Sequence, residues 1–178
     1  PIFLQYPRMS IVQDNAALAK FGLEAGKFIV VHLFAGNAGR GLHPDKKREL
    51  LTALTKKFPH TRLVITGSAN DREEALRVAK GTGATIIAGE ATLQELMNLI
   101  AESCNVISVD TGVAHITAQL GKPLTVLCTC LGANWWLSEQ YGPDAPIRVF
   151  SRSERCTQGH VYKDYPDCIN KIDTEEIA

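Results

Sequence analysis

Residues 28–34, Phe28-Ile29-Val30-Val31-His32-Leu33-Phe34, form an unbroken apolar run rich in β-branched side chains. Such a run has no polar face to give to water. It reads as a strand covered on both sides, the environment of a parallel sheet between two helical layers. The rest of the chain repeats this unit. A glycine-rich loop follows, then Pro44 as a first helical residue ahead of Leu50, Leu51, Leu54 and Phe58 at helical spacing. Further strands are predicted at 62–66, 84–88, 105–109, 124–128 and 147–150. Helices are expected between them. Asn70 with Glu73, and Thr92 with Glu95, read as capping boxes, and a helix over 111–120 is stopped by Gly121 and Pro123. Strand–helix alternation with short connections builds a three-layer α/β fold around a parallel sheet.

Residues 1–27 are weakly patterned, apart from a short helix near Ala16 to Phe21 that ends at Gly22 or Gly26. They read as a linker or crossover segment from a preceding domain, with the Rossmann-like domain over 28–178. The first eight residues lack the basic head and apolar run of a signal peptide, and a start at Pro1 reads as a cut from a longer chain. No stretch reaches the ~20 apolar residues of a membrane span.

Lys plus Arg number 19 and Asp plus Glu 19, so the chain lacks the basic excess of a protein that grips nucleic acid. The 5 cysteines include no Cys-x-x-Cys pair, which disfavours a zinc ribbon. Cys104 and Cys128 lie in apolar segments and read as small buried hydrophobes, and the cysteine usage fits a reducing cytoplasm. Cys156 and Cys168 are candidates for pairing or metal binding if the fold joins them. No Ser-His-Asp set, G-x-S-x-G elbow or H-E-x-x-H motif is present, and no metal site is predicted.

In a sheet of this kind, ligands bind beyond the carboxyl ends of the strands. The loop Gly36-Asn37-Ala38-Gly39-Arg40-Gly41 has P-loop glycine spacing, but Leu42-His43 replaces Lys-Ser/Thr. It reads either as an anion cradle or as a tight strand-to-helix turn. Gly81-Thr82-Gly83 precedes a strand and is a turn. Asp110-Thr111-Gly112-Val113-Ala114-His115 is the stronger signal. It ends a strand and opens a helix, where free amides and the helix dipole favour an anion. Gly112 has no Cβ to hold a phosphate off the backbone. Asp110 reads equally as a cap or a ligand group, and His115 as a partly buried helix residue or an anion contact. Trp135-Trp136 follows the fifth strand; at least one is expected to fill the core rather than stack on a ligand. His32 is expected in the core and His60 in solvent; His43, before Pro44, lies at the ligand edge, and nothing assigns His160 a role.

Asp110-Thr111-Gly112-Val113-Ala114-His115-Ile116-Thr117-Ala118-Gln119-Leu120-Gly121-Lys122-Pro123 strongly resembles the D-T-G-x-x-H-x-x-A-x-x-G-x-P signature of glycosyltransferase family nine, the ADP-heptose:lipopolysaccharide heptosyltransferases. Leu63 to Gly67, Ala88 to Leu96, and Cys156 with Cys168 resemble further family segments, so that the resemblance covers residues 28–172. It implies the C-terminal, nucleotide-sugar-binding half of a two-domain GT-B-type enzyme, catalysing inverting transfer without a required metal or other cofactor. It implies a donor diphosphate held by Thr111, Gly112 and Val113 with His115 beside it. Asp110 would then contact the sugar hydroxyls or hold the loop, and Asp71 stands near the family's ribose-binding Glu. The family K-x-W-P segment appears as Arg40-Gly41-Leu42-His43-Pro44, which displaces the lysine and leaves Arg40 to supply charge.

The donor is expected to be ADP-heptose and the acceptor the lipopolysaccharide inner core, reached through the other half. That half would also supply the general base, so no catalytic residue is expected here, and this chain alone is expected to bind donor without transferring sugar. The expected location is the cytoplasm, with the whole protein peripheral at the cytoplasmic face of the inner membrane. A non-catalytic nucleotide-sugar or phosphate module and half of a sugar-nucleotide epimerase are the alternatives.

Overall fold

A computed structural model describes residues 6–133, 136, 138–141, 145–152 and 165–177. Trp135, Cys156 and His160 lie outside the described residues. The strands are β1 (Phe28–His32), β2 (Arg62–Ile65), β3 (Thr85–Ile86), β4 (Asn105–Val109), β5 (Leu124–Leu127) and β6 (Ile147–Phe150). They form one parallel sheet in the order β3-β2-β1-β4-β5-β6. The helices among the described residues are α1 (Ala16–Phe21), α2 (Pro44–Lys57), α3 (Arg72–Val78), α4 (Leu93–Glu102), α5 (Gly112–Gln119), α6 (Cys130–Ala133), α7 (Ser138–Tyr141), α8 (Asp167–Asn170) and α9 (Thr174–Ile177).

The two-residue period of β1 distributes its side chains between two cores. Ile29 and Val31 pack on one face with Leu50, Leu51 and Leu54 of α2, Ala75 and Val78 of α3, and Ile177 of α9. Phe28 and Val30 pack on the other face with Leu18 of α1, Leu99 and Ile100 of α4, and Ala114 and Ala118 of α5. The chain therefore lays α2 and α3 on one side while it builds outward to β3. It then crosses by α4 to the other side and places β4 against the free edge of β1. The strand order reverses between β1 and β4, and the carboxyl-end crevice at that reversal is where open α/β sheets take ligands.

Local signals explain the element ends. Gly22 closes α1 in the left-handed region at φ 61°. Pro44 opens α2 behind His43. Thr92 accepts from the Glu95 amide, and Glu95 accepts from the Thr92 amide, as expected. The capping box expected at Asn70 and Glu73 lies two residues earlier. Asp71 Oδ2 accepts from the Ser68 amide at 2.7 Å and its hydroxyl at 2.6 Å, because a short 3-10 turn, Ala69–Asp71, precedes α3. Cys104 is exposed rather than buried: it stands just ahead of β4, and its thiol donates to the Phe28 carbonyl at 3.1 Å. Cys128 is buried.

The segment beyond β6 is more structured than its sequence suggests. Ile169, Ile172 and Ile177 join the α2-side core. Asn170 Oδ1 accepts from the His43 amide at 2.6 Å, and Thr174 donates to Glu49 at 2.8 Å. At the other end, the Tyr6 amide donates to the Gln140 carbonyl and the Met9 amide to the Gln119 carbonyl. No helix of the described residues is long and apolar enough to cross a membrane.

His32, at the carboxyl end of β1, is largely covered, with Nδ1 2.9 Å from Thr66 Oγ1. Burial pushes its pKa down to about 4, against an opposing pull from the Asp71 carboxylate. An unfolded histidine takes its proton near 6.5. Between these values the unfolded chain binds more protons than the folded one. The His32 contribution is therefore complete above about pH 6.5 and is lost as pH falls toward 4, amounting to about 3 kcal/mol at most. Urea unfolding at pH 7.5 and pH 5 should show a smaller loss for His32→Gln than for the parent chain; equal losses would refute this assignment.

Candidate functional site

The crevice at the carboxyl edge is lined by the segments after β1, β2, β4 and β5. After β1, the glycine-rich loop folds into a 3-10 turn, Ala38–Arg40. Three of its amides are used internally: Gly39 N–H donates to Asn37 Oδ1 at 2.7 Å, Arg40 N–H to the Asn37 carbonyl and Gly41 N–H to the Ala38 carbonyl. The loop forms a tight turn through these three amides. Arg40 is exposed at its end and forms no ion pair among the described residues.

The lysines at the start of α2 are engaged. Lys46 pairs with Glu49 at 2.8 Å. Lys47, 4% exposed, pairs with Glu74 at 2.9 Å and sits over the Phe34 ring. Arg40 is therefore the cation of this region left for a ligand. After β2, Asp71 holds the Ser68 loop through its bonds to the Ser68 amide and hydroxyl. A Cβ on Gly67 would stand 3.0 Å from Asp71 Cβ and 3.1 Å from Phe34, so this turn admits only glycine without displacement.

After β4, Thr111 is the N-cap residue of α5, and no side chain caps this helix. The Ala114 and His115 amides both reach the Thr111 carbonyl, whereas Gly112 and Val113 stand at the start of the helix, where amides lack an intrahelical partner. A Cβ placed on Gly112 meets nothing within 4 Å, so the space above it is open.

Asp110 is not the cap. Its Oδ1 accepts from the indole N–H of Trp136 at 3.1 Å, and it lies 3.8 Å from Nε2 of His115. The His115 ring stacks on Trp136 with centroids 4.5 Å apart and planes 18° from parallel. Its Nδ1 is 2.7 Å from the Tyr141 hydroxyl. Trp136 stacks in turn on Tyr141, and Tyr141 packs against Tyr6 with the two rings tilted by 30°. Burial lowers the His115 pKa below the usual histidine range, partly offset by the Asp110 carboxylate. Burial, then Tyr6 and Asp110, push Tyr141 up to about 12.

The D-T-G-x-x-H block is thus brought together as one cluster, with Arg40 and Asp71 on neighbouring strand ends of the same edge. Trp136 fills the core, as expected of at least one tryptophan. Tyr141 and Tyr6 carried no sequence signal, since only the fold places them against His115. Behind this cluster, the Cys130 amide donates to Sγ of the buried Cys168 at 3.4 Å. Among the described residues, no three acidic, His or Cys side chains are grouped to hold a metal.

This crevice has a counterpart in sequence. The model for glycosyltransferase family 9 (heptosyltransferase) matches residues 8–129, more than half of the 178 residues. The chain belongs to glycosyltransferase family 9. The family match takes in twenty residues ahead of β1, residues 8–27, and ends just past β5, short of residue 172. Solved structures share the fold. The E. coli ADP-heptose lipopolysaccharide heptosyltransferase II is 20% identical with a TM-score of 0.73, over 99% of this chain and 53% of that one. A family 9 glycosyl transferase from Veillonella parvula is 16% identical with a TM-score of 0.64, over 80% and 42%. The E. coli heptosyltransferase WaaC with ADP is 22% identical with a TM-score of 0.59, over 75% and 41%. At these identities the likeness is one of GT-B fold, and the chain spans about half the length of those family 9 proteins. No curated protein matches the sequence.

Asp110 has a structural role separable from ligand binding. Asp110→Asn keeps an oxygen for the Trp136 indole, whereas Asp110→Ala leaves a buried N–H without a partner. Chemical denaturation should show Asp110→Ala about 1–2 kcal/mol less stable than Asp110→Asn. Equal stabilities would mean that the indole bond does not hold the site.

Proposed function

We propose that this chain is the nucleotide-sugar-binding half of an inverting glycosyltransferase of family 9, with the donor diphosphate at the start of α5. The observation that carries this reading is the uncapped helix start at Thr111, Gly112 and Val113, open above Gly112 and set where the strand order reverses. Amides and a helix dipole directed at one point suit an anion. His115 stands one turn into the helix and Arg40 across the crevice.

The chemistry follows from charge. As the sugar leaves its nucleoside diphosphate, negative charge grows on the diphosphate oxygens. The α5 amides, His115 and Arg40 lie in place to stabilise that charge as it develops, without a required metal. The acceptor hydroxyl must also lose a proton to a general base. We assign that base to the other half of the enzyme, so this chain binds donor and does not transfer sugar alone. Asp110 holds the loop, with Oδ1 on the Trp136 indole and Oδ2 close against Gly132. Asp71, committed through Oδ2 to Ser68, shapes the nucleoside side.

ADP-heptose is the donor we favour, with the lipopolysaccharide inner core as acceptor. Support comes from family membership, from the fold shared with an ADP-heptose heptosyltransferase, and from a WaaC structure that contains ADP. Such an enzyme would work at the cytoplasmic face of the inner membrane, where its acceptor is built.

Calorimetric titration with ADP, UDP, GDP and ADP-heptose tests the reading. ADP and ADP-heptose should bind in preference to UDP and GDP. His115→Ala should weaken ADP by about tenfold, the worth of one hydrogen bond to a charged group. Gly112→Ala should leave the thermal midpoint unchanged, since its methyl enters open space, yet weaken ADP by at least as much. Preference for UDP or GDP would change the donor. ADP binding undiminished in both variants would remove the diphosphate from α5.

A further inference from the structure

The contacts around His115 fix more than its position. A neutral imidazole has one N–H and one lone pair, and its neighbours decide which nitrogen carries which. Burial keeps this ring neutral near pH 7 and keeps the Tyr141 phenol protonated. Among the described residues, the titratable groups beside the ring are Asp110 from the end of β4 and Tyr141 from α7, with Tyr6 of the N-terminal segment behind Tyr141.

Two proton arrangements are open. In the first, Nδ1–H donates to the tyrosine oxygen, and an electron-rich, unprotonated Nε2 stands 3.8 Å from a carboxylate oxygen, which is repulsive. In the second, the tyrosine O–H donates to Nδ1 at 2.7 Å, and an electropositive, protonated Nε2 stands at that same distance from the carboxylate, which is attractive. Trp136 reinforces the second arrangement. Its indole N–H holds Asp110 Oδ1 at 3.1 Å, and its face lies against the imidazole at 4.5 Å. The ring cannot turn over without losing the tyrosine bond.

We infer that Tyr141 and Trp136 are positioning residues that hold His115 as its Nε2–H tautomer, with that N–H on the Asp110 side of the crevice. The ligand consequence rests on the proposed donor site at α5. An Nε2–H is a donor for a phosphate oxygen beside the Gly112 and Val113 amides, whereas a lone pair there would repel it. Tyr141 and Trp136 touch no ligand in this role and act through His115.

The test is a long-range proton–nitrogen correlation spectrum of the ¹⁵N-labelled 178-residue chain, with pyrophosphate titrations of the same samples. The parent chain should show His115 with Nε2 protonated and Nδ1 as a hydrogen-bonded acceptor. Tyr141→Phe keeps the aromatic stack and removes only the hydroxyl. Its Nδ1 signal should move to that of an acceptor without a partner, and pyrophosphate should bind about three- to tenfold more weakly. A merely structural tyrosine would not shift that nitrogen. A parent spectrum with Nδ1 protonated would overturn the inference whether or not any variant folds. So would a Tyr141→Phe chain with Nδ1 signal and pyrophosphate affinity both unchanged. A parent chain with the expected tautomer that binds no pyrophosphate would overturn the donor site and leave the Tyr141–His115–Asp110 arrangement standing.

Discussion

Everything in this molecule depends on the need to cover β1 on both faces. Phe28, Ile29, Val30 and Val31 are each 3% exposed or less, so a helical layer must lie on either side of them. A strand at the centre of a parallel sheet also needs a partner along each edge. The chain meets both demands by building β2 and β3 outward on one side, crossing over through α4, and returning to pair β4 with β1. The reversal that completes the core leaves a crevice between the loops after β1 and β4. The site is thus a by-product of the way the core is closed.

Within that crevice the groups divide by what holds them. The glycine loop after β1 and the Ser68–Asp71 turn after β2 bond within themselves and act as walls. The start of α5 does not, and it carries the unspent hydrogen-bonding capacity of the edge. The aromatic set comes from a different place, the connection after β5, with Tyr6 added from the N-terminal segment. Four rings packed in series, His115 of α5, Trp136, Tyr141 of α7 and Tyr6, line this edge with an aromatic wall. The same wall places polar atoms at fixed points around one imidazole.

Much of this was legible in the sequence because the strands are β-branched runs and the longest helices, α2 and α4, open on a proline and a capping box. The D-T-G-x-x-H block was legible as well, since strand end, glycine and helix start are contiguous in the chain. The features that escaped reading were non-local or displaced by a residue or two. The Ser68–Asp71 box was hidden by the equally plausible Asn70–Glu73 spacing, and only the intervening 3-10 turn decides between them. Cys104 sits in an apolar neighbourhood in sequence but just ahead of its strand in space, where the residue is exposed and its thiol meets the Phe28 carbonyl. Tyr141 and Tyr6 are separated by most of the chain, and no periodicity joins them. Ile169, Ile172 and Ile177 lie in a tail too short for a helical pattern, yet they help seal the α2-side core.

The short β3 bears on how this sheet behaves among its own copies. A parallel sheet whose outermost strand is long and flat offers a row of open N–H and C=O groups to any passing chain. Here the outermost strand on that side is Thr85–Ile86, after which the Ile87 and Gly89 amides bond inward to the carbonyls of Ile65 and Gly67. The ladder is used up on the inner side and ends after two residues on the outer side. Edge-to-edge growth of the sheet is blocked there by length alone, with no charged gatekeeper required.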